Sequence, residues 1–345
     1  MAVVKFVLRL LVGVCLIGVL LYKHEVNLDK VFENVRQMPH AYILGAVVLY
    51  LMGQLMSAYR WGRLSTLGGS PVEFNSVWPV YFSGMFFNMC LPTSIGGDVV
   101  RVVGLSRTTG SKSKALASVF MDRNVGLLAL LLIGLLASVV SCFQTPVSLE
   151  AVLFGTRYPI PVWPLFVLLL VGYIGANTAL FSDGFCGFVS RICTRIKIQF
   201  LSRKIERLHD SLQEYKMPVA RFIPAFGISV LYQISEIGVV WLLARGLEID
   251  VPAWVFFALV PLQAVACLLP LSFNGVGFRE FVFCAVLKGQ LGDIPAVKSQ
   301  ALTLSLVFFG VVVLSSFMGG IVYMASGMSR PTVTEAEAVS AASGQ

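Results

Sequence analysis

Charge is scarce in this chain. Asp, Glu, Lys and Arg together make up 13% of its 345 residues, while 57% are hydrophobic, and the mean hydropathy is +0.82. That balance excludes a soluble domain with a large core and points to an all-α polytopic membrane protein. Histidine is scarcer still: His24, His40 and His209 lie far apart and share no ligand spacing. The seven cysteines are scattered, with Cys15, Cys90, Cys142, Cys267 and Cys284 in or near apolar spans and Cys186 and Cys193 in a basic loop. Without a CxxC or a Cys/His cluster, neither a metal site nor a disulfide framework is expected, and no cofactor is implied. The chain also lacks GxSxG, a Ser-His-Asp order, a P-loop and a paired-aspartate sugar-nucleotide motif. No nucleophile is set up, so enzyme activity is not expected, and any transport must be downhill, ion-coupled or powered by a partner. The net charge of +8 raises nucleic acid as a partner. The basic residues, however, sit between apolar spans, where the positive-inside rule puts them, and no stacking or base-reading module accompanies them.

What is present is a succession of apolar spans. The first, at about 5–22, is led by Lys5 and Arg9 and has no clear small-residue cleavage site, so a retained signal anchor is expected. The polar stretch 23–39 suits a short amphipathic helix at the interface. Further spans are expected at 40–59, capped by Arg60 and Arg63, and at 116–140, 162–181, 219–243 and 301–324. The stretch 99–118 carries Arg101, Arg107, Lys112 and Lys114 and reads as a cytoplasmic loop, whereas 144–161 has few charges and reads as an outside loop. The segment 182–216 combines seven Lys and Arg with apolar residues at helical spacing. It reads as a basic amphipathic segment on the inner leaflet. The tail 327–345 is small, polar and acidic and is expected to be disordered, leaving 1–326 as a single membrane domain.

Two stretches echo each other: CLPTSIGGDVVR at 90–101 and LLPLSFNGVGFRE at 268–280. Aligned without a gap, Pro92 falls on Pro270, Ser94 on Ser272, Gly97 on Gly275 and Arg101 on Arg279. Backbone at membrane depth leaves the helix only where protein or a water-filled cavity satisfies it. Matching interruptions in two halves point to a transporter's binding site. The apolar stretch before the first break, 77–91, is short of the roughly 20 residues a crossing needs. The expected fold is therefore about six full transmembrane helices plus two re-entrant helical hairpins in an inverted-repeat arrangement, or seven or eight spans if the hairpins cross. With six spans, both termini are cytoplasmic.

Arg101 and Arg279 lead the candidate residues, because an arginine near membrane depth is costly and its planar fork suits a phosphate. Helices restarting after the glycines would add their N-terminal amides to the same anion site. The competing reading is that both arginines pair with Asp98, Asp122 or Glu280 and only fix the fold. Asp98 and Glu280 flank the breaks and would bind a coupling proton or cation or orient the arginines. Asp122 and Arg123 read as a structural ion pair where a span begins. Glu236 lies inside the span 219–243 and reads either as a proton site or as a partner for Arg123 or Arg279. Asn88 and Asn274 would line a cavity or cap helices.

At these residues the chain resembles a known family. PTSIGGDVVR, MDRNVGLLAL and LPLSFNGVGFRE look like the three signatures of the lysylphosphatidylglycerol synthase transmembrane family, also called the flippase-like domain family. The resemblance spans roughly 8–324. It implies that Gly96, Gly97, Asp98 and Arg101 belong to the first signature and Asp122 and Arg123 to the second. Asn274, Gly275, Gly277, Arg279 and Glu280 belong to the third. The second signature more usually opens with glutamate, so Asp122 is a mild departure. In full-length synthases this membrane region, joined to a soluble aminoacyl-transferase domain, is credited with moving the modified lipid across the bilayer. This chain is expected to carry the membrane region without the synthase domain. The resemblance implies an inner-membrane translocase for an anionic phospholipid or a polyprenyl-phosphate-linked glycolipid. The alternatives are an accessory subunit beside a lipid-modifying enzyme, and a membrane-embedded transferase. Membrane lipid is the expected partner, with a lipid-modifying enzyme or a second copy of the chain as further partners.

Overall fold

The computed structural model describes residues 28–66, 72–90, 96–144, 146–153, 156–184, 187, 191, 219–268, 273–292 and 294–326. The expected anchor at 5–22, most of the basic segment 182–216, the tail 327–345, and Pro92, Ser94, Pro270 and Ser272 lie outside them.

The described chain is almost wholly helical, as an apolar medium demands of a backbone that must satisfy its own hydrogen bonds. A short amphipathic helix, α1 (Leu28–Gln37), buries Val31 and exposes Phe32. Among the described residues, five helices are long and apolar enough to cross a membrane: α2 (His40–Ser65), α5 (Lys112–Ser141), α6 (Trp163–Leu180), α7 (Val219–Gly246) and α10 (Pro295–Ala325). These match the five expected spans after the first. Four shorter helices form two pairs, α3 (Phe74–Cys90) with α4 (Gly96–Thr109) and α8 (Ala253–Leu268) with α9 (Phe278–Leu291). With 17, 14, 16 and 14 residues, they reach about 21–26 Å, short of a hydrocarbon core of about 30 Å.

Small residues set the packing. On α2 and α7, Gly45 faces Leu242, Gly53 faces Ser235 and Gly238 faces Leu49. Residue number rises on one helix as it falls on the other, so the pair is antiparallel, and Ser65 and Val219 lie at the same end. The first short pair is antiparallel by the same test: Gly104 faces Val80, Gly84 faces Arg101, and Gly97 faces Asn88 and the Gly84 carbonyl. The α10 residues Gly319 and Gly320 lie against Phe82 and Phe86 of α3. The main core joins α2, α5, α6, α7, α8, α9 and α10 through residues such as Tyr50, Leu131, Phe166, Leu243, Phe256, Phe283 and Phe308. Outside it, large apolar side chains stand exposed along the spans, among them Leu44, Val48, Leu136, Leu168, Val171, Leu231, Phe317 and Ile321. A water-facing surface would not carry such a belt, whereas lipid solvates it.

Several expectations need correction. The stretch 99–118 is not a loop: α4 ends at Thr109 and α5 begins at Lys112, capped by the Ser111 side chain. Its four cations misled because Arg101 is buried by its partners rather than solvated. The stretch 144–161 contains an antiparallel hairpin, β1 (Ser148–Leu153) and β2 (Thr156–Pro161), with Ser148 opposite Pro161. Asp122 lies ten residues into α5 rather than at its start, about 15 Å along the axis and half the depth of a bilayer core.

Candidate functional site

The first hairpin carries its arginine into a ladder of alternating charge. Arg101, 4% exposed, lies against the rings of Trp61 and Tyr81, its guanidinium carbon 4.3 and 4.8 Å from their centroids. Its Nη2 donates to Asp122 Oδ2 at 2.6 Å and its Nη1 to Asp98 Oδ1 at 3.4 Å. The other Asp122 oxygen accepts from Arg60 Nε at 2.9 Å. Arg60 continues to the hydroxyls of Ser229 (2.8 Å) and Ser57 (3.2 Å). At the far end Arg123 forks onto Asp98, Nη2 to Oδ1 at 3.0 Å and Nε to Oδ2 at 3.2 Å. The order is Arg60, Asp122, Arg101, Asp98, Arg123, drawn from α2, α5 and α4. Desolvating these charges is expensive, and pairing with shared hydrogen bonds offsets the cost.

This ladder walls a cavity of about 250 Å³, with Gln233 and Glu236 of α7 and Ala264 and Leu268 of α8 among its other lining residues. Two buried polar atoms on the wall have no partner among the described residues: the donor Nε of Arg101 and the acceptor Oε1 of Gln233. Arg123 differs from the other two arginines because its side chain is 55% exposed. It also lines a second, larger cavity of about 480 Å³ between α5, α6 and α8. That space is an apolar groove, formed by side chains such as Leu131, Leu168, Leu169 and Val265, and Arg123, Leu127 and Leu268 belong to both cavities. Asn124 and Asn177 hydrogen-bond across the groove from α5 to α6, and the Tyr173 hydroxyl donates to the Asn124 carbonyl.

The second hairpin is built differently. Three residues before α9 take left-handed backbone angles: Asn274 (φ 52°), Gly275 (φ 74°) and Gly277 (φ 92°), a conformation glycine adopts at little cost. The Glu280 carboxylate turns back to accept from the Gly277 amide at 2.6 Å and from Arg279 Nη2 at 2.6 Å. Ser305 of α10 donates to the same carboxylate and accepts from Arg279 Nε, while Phe309 lies under the guanidinium. Asn88 plays the corresponding capping part in the first hairpin, accepting from the Gly97 amide at 2.8 Å. One amide at each helix restart, Gly97 and Gly277, thus already has a side-chain acceptor from the protein. The breaks do meet: Asn274 Nδ2 lies 2.8 Å from Met89 Sδ.

Of the expected residues, the structure brings Arg101, Asp98, Asp122, Arg123 and Glu236 together around or behind the cavity. Gly96 and Gly97 are buried in the α3–α4 contact, and Gly275 lies against Cys267. Arg279 and Glu280 pair with each other against α10, apart from the cavity that Arg101 lines. Glu236 has no ion-pair partner within 4 Å among the described residues, so neither Arg123 nor Arg279 is its partner. Sequence reasoning missed Arg60, taken for a capping residue at a span's end; α2 runs on to Ser65 and Arg60 is 4% exposed. The signal available was the pair Ser57 and Leu64, three residues before and four after Arg60 and so on the same helix face.

The chain resembles two archaeal proteins. A UPF0104 membrane protein of Pyrococcus horikoshii is 24% identical over 219 residues, 61% of this chain and 63% of that protein. A UPF0104 membrane protein of Methanocaldococcus jannaschii is 22% identical over 287 residues, 81% of this chain and 83% of that protein. The alignment thus spans less than two thirds of the Pyrococcus protein. Residues 6–320 match the lysylphosphatidylglycerol synthase TM region as a family. The chain therefore belongs to the family of the lysylphosphatidylglycerol synthase transmembrane region.

Proposed function

We propose that this protein is a lipid translocase of the inner, cytoplasmic membrane, with both termini inside, that carries an anionic phospholipid or polyprenyl-phosphate-linked glycolipid without covalent chemistry. The observation that carries the reading is the junction of two unlike cavities: a charged one of about 250 Å³ and an apolar one of about 480 Å³ share Arg123, Leu127 and Leu268. A phosphate joined to long hydrocarbon chains has the same division. Its phosphate would meet Arg123 and the free Nε of Arg101, and its chains would lie along α6, much of which is exposed. Arg279 would act at the second hairpin, where Asn274 and Met89 join the two breaks.

One observation favours a different reading, that of an accessory subunit. Arg101 and Arg279 are both already paired with carboxylates, as a purely structural charge network requires. Reconstitution into vesicles with a fluorescent phosphatidylglycerol separates the two. A translocase moves the probe faster than protein-free vesicles do, and Arg123→Gln slows it at least tenfold while the protein still folds. The translocase reading is abandoned if the native protein is no faster than empty vesicles, or if Arg123→Gln keeps the full rate.

A further inference from the structure

We infer that Glu236 is a proton-binding site that couples the movement of the lipid phosphate to a pH gradient, an inference that rests on the translocase reading. The argument is a charge count. The ladder holds three arginines, Arg60, Arg101 and Arg123, against two aspartates, Asp98 and Asp122. It therefore carries one net positive charge. Both oxygens of Asp122 and both of Asp98 accept from these arginines. Glu236 lines the same cavity but stands outside the ladder, with no cation within 4 Å among the described residues.

The other titratable groups around it are few. Tyr232 precedes it by one turn on α7, and Tyr50 and Arg60 face it from α2. Tyr81 comes from α3, Arg101 from α4, and Asp122 and Arg123 from α5, while α8 offers Ala264 and Leu268 to the wall and no charge. None of the carboxylates but Glu236 is free to change its charge without breaking a buried ion pair.

An empty cavity is neutral with Glu236 ionised. A phosphodiester brings one negative charge. With Glu236 still ionised, the occupied cavity would hold an uncompensated negative charge in a poorly solvating interior. With Glu236 protonated, the ladder's single positive charge balances the phosphate. Binding of the phosphate therefore draws a proton onto the Glu236 carboxylate, giving the neutral acid, and release returns it. By linkage the proton tightens lipid binding by the factor with which lipid tightens proton binding, and the two travel in the same direction.

Two measurements test this. In weakly buffered detergent solution, adding phosphatidylglycerol to the purified full chain should be accompanied by uptake of about one proton per lipid bound. Glu236→Gln should show none, and Glu236→Asp should restore it. In vesicles, making the lipid's starting side acidic should raise the native rate severalfold over symmetric pH. The ratio of the two rates should fall to one in Glu236→Gln. Lipid binding without proton uptake, or a gradient response that persists in Glu236→Gln, overturns the proton site. Vesicles in which the native protein moves no lipid overturn the translocase reading instead, while the uptake measurement still decides whether Glu236 binds a proton with the lipid.

Discussion

Asp122 and Glu236 are both carboxylates at membrane depth, yet their neighbours give them opposite structural weight. Asp122 holds Arg60 at 2.9 Å and Arg101 at 2.6 Å and is 2% exposed. Replacing it with alanine leaves the buried Arg60 guanidinium without its counter-charge and Arg101 with only Asp98, at 3.4 Å. Loss of one partner from a buried pair typically costs about 3–5 kcal/mol, so Asp122→Ala should lower the unfolding temperature in detergent by many degrees. Glu236→Gln removes no ion pair and should leave the unfolding temperature within a few degrees of the native value. Equal destabilisation by the two substitutions would mean that Glu236 has a structural partner, and the charge count above would fail. Arg101→Lys should also destabilise, because a point charge on a flexible stem cannot bridge two aspartates while lying flat against the rings of Trp61 and Tyr81.

At the scale of elements, close approach between helices rests on single hydrogens. A Cβ at Gly319 would land on the Phe82 carbonyl of α3, backbone that cannot swing aside, whereas a Cβ at Gly310 on the same helix meets nothing within 4 Å. Gly319→Ala should therefore loosen the α3–α10 contact and cost about 1–3 kcal/mol as overpacking does. Gly310→Ala should be neutral or stabilising by up to about 1 kcal/mol through helix propensity. Thermal unfolding of the two variants side by side checks the difference. What hydropathy could reveal about the elements was determined by length. Spans of 18 to 31 residues with few charges, such as Pro295–Ala325, are legible because the bilayer imposes one long apolar window. Helix α4 was not, because a pair of glycines followed by several cations looks like a loop until the carboxylates and rings that bury Arg101 are brought in from α2, α3 and α5. The pairing partners are foreseeable as residue types, since Asp98 and Asp122 are the nearest acidic residues on either side of Arg101 in the sequence. The separation of Arg279 from Arg101 was not, because a repeat in sequence says nothing of which neighbours each copy meets. Arg279 meets Ser305 and Phe309 of α10, and Arg101 meets Trp61 and Tyr81.

For the molecule as a whole, the decisive feature is that a charged chamber within the helix bundle meets an apolar groove along α6. Helix α6 is the loosest of the spans: among its described residues Phe166 alone is buried, and Leu165, Leu168, Val171 and Ile174 are exposed. Such a helix can line a lateral opening without forfeiting much core packing. Gly172 of α6 lines the groove and has no atom within 4 Å of the position a Cβ would take. A tryptophan there has room to enter the groove without disturbing the core. If hydrocarbon chains occupy the groove during transport, Gly172→Trp should slow translocation of phosphatidylglycerol severalfold at an unchanged unfolding temperature. The same variant should still bind a short-chain phosphodiester, which needs the charged chamber and not the groove. A tryptophan variant that transports the long-chain probe at the native rate would detach the groove from the path and leave the chamber to be reached from the ends of the bundle. Loss of short-chain binding as well would mean that the two cavities are one site, with Arg123 inseparable from the groove it borders.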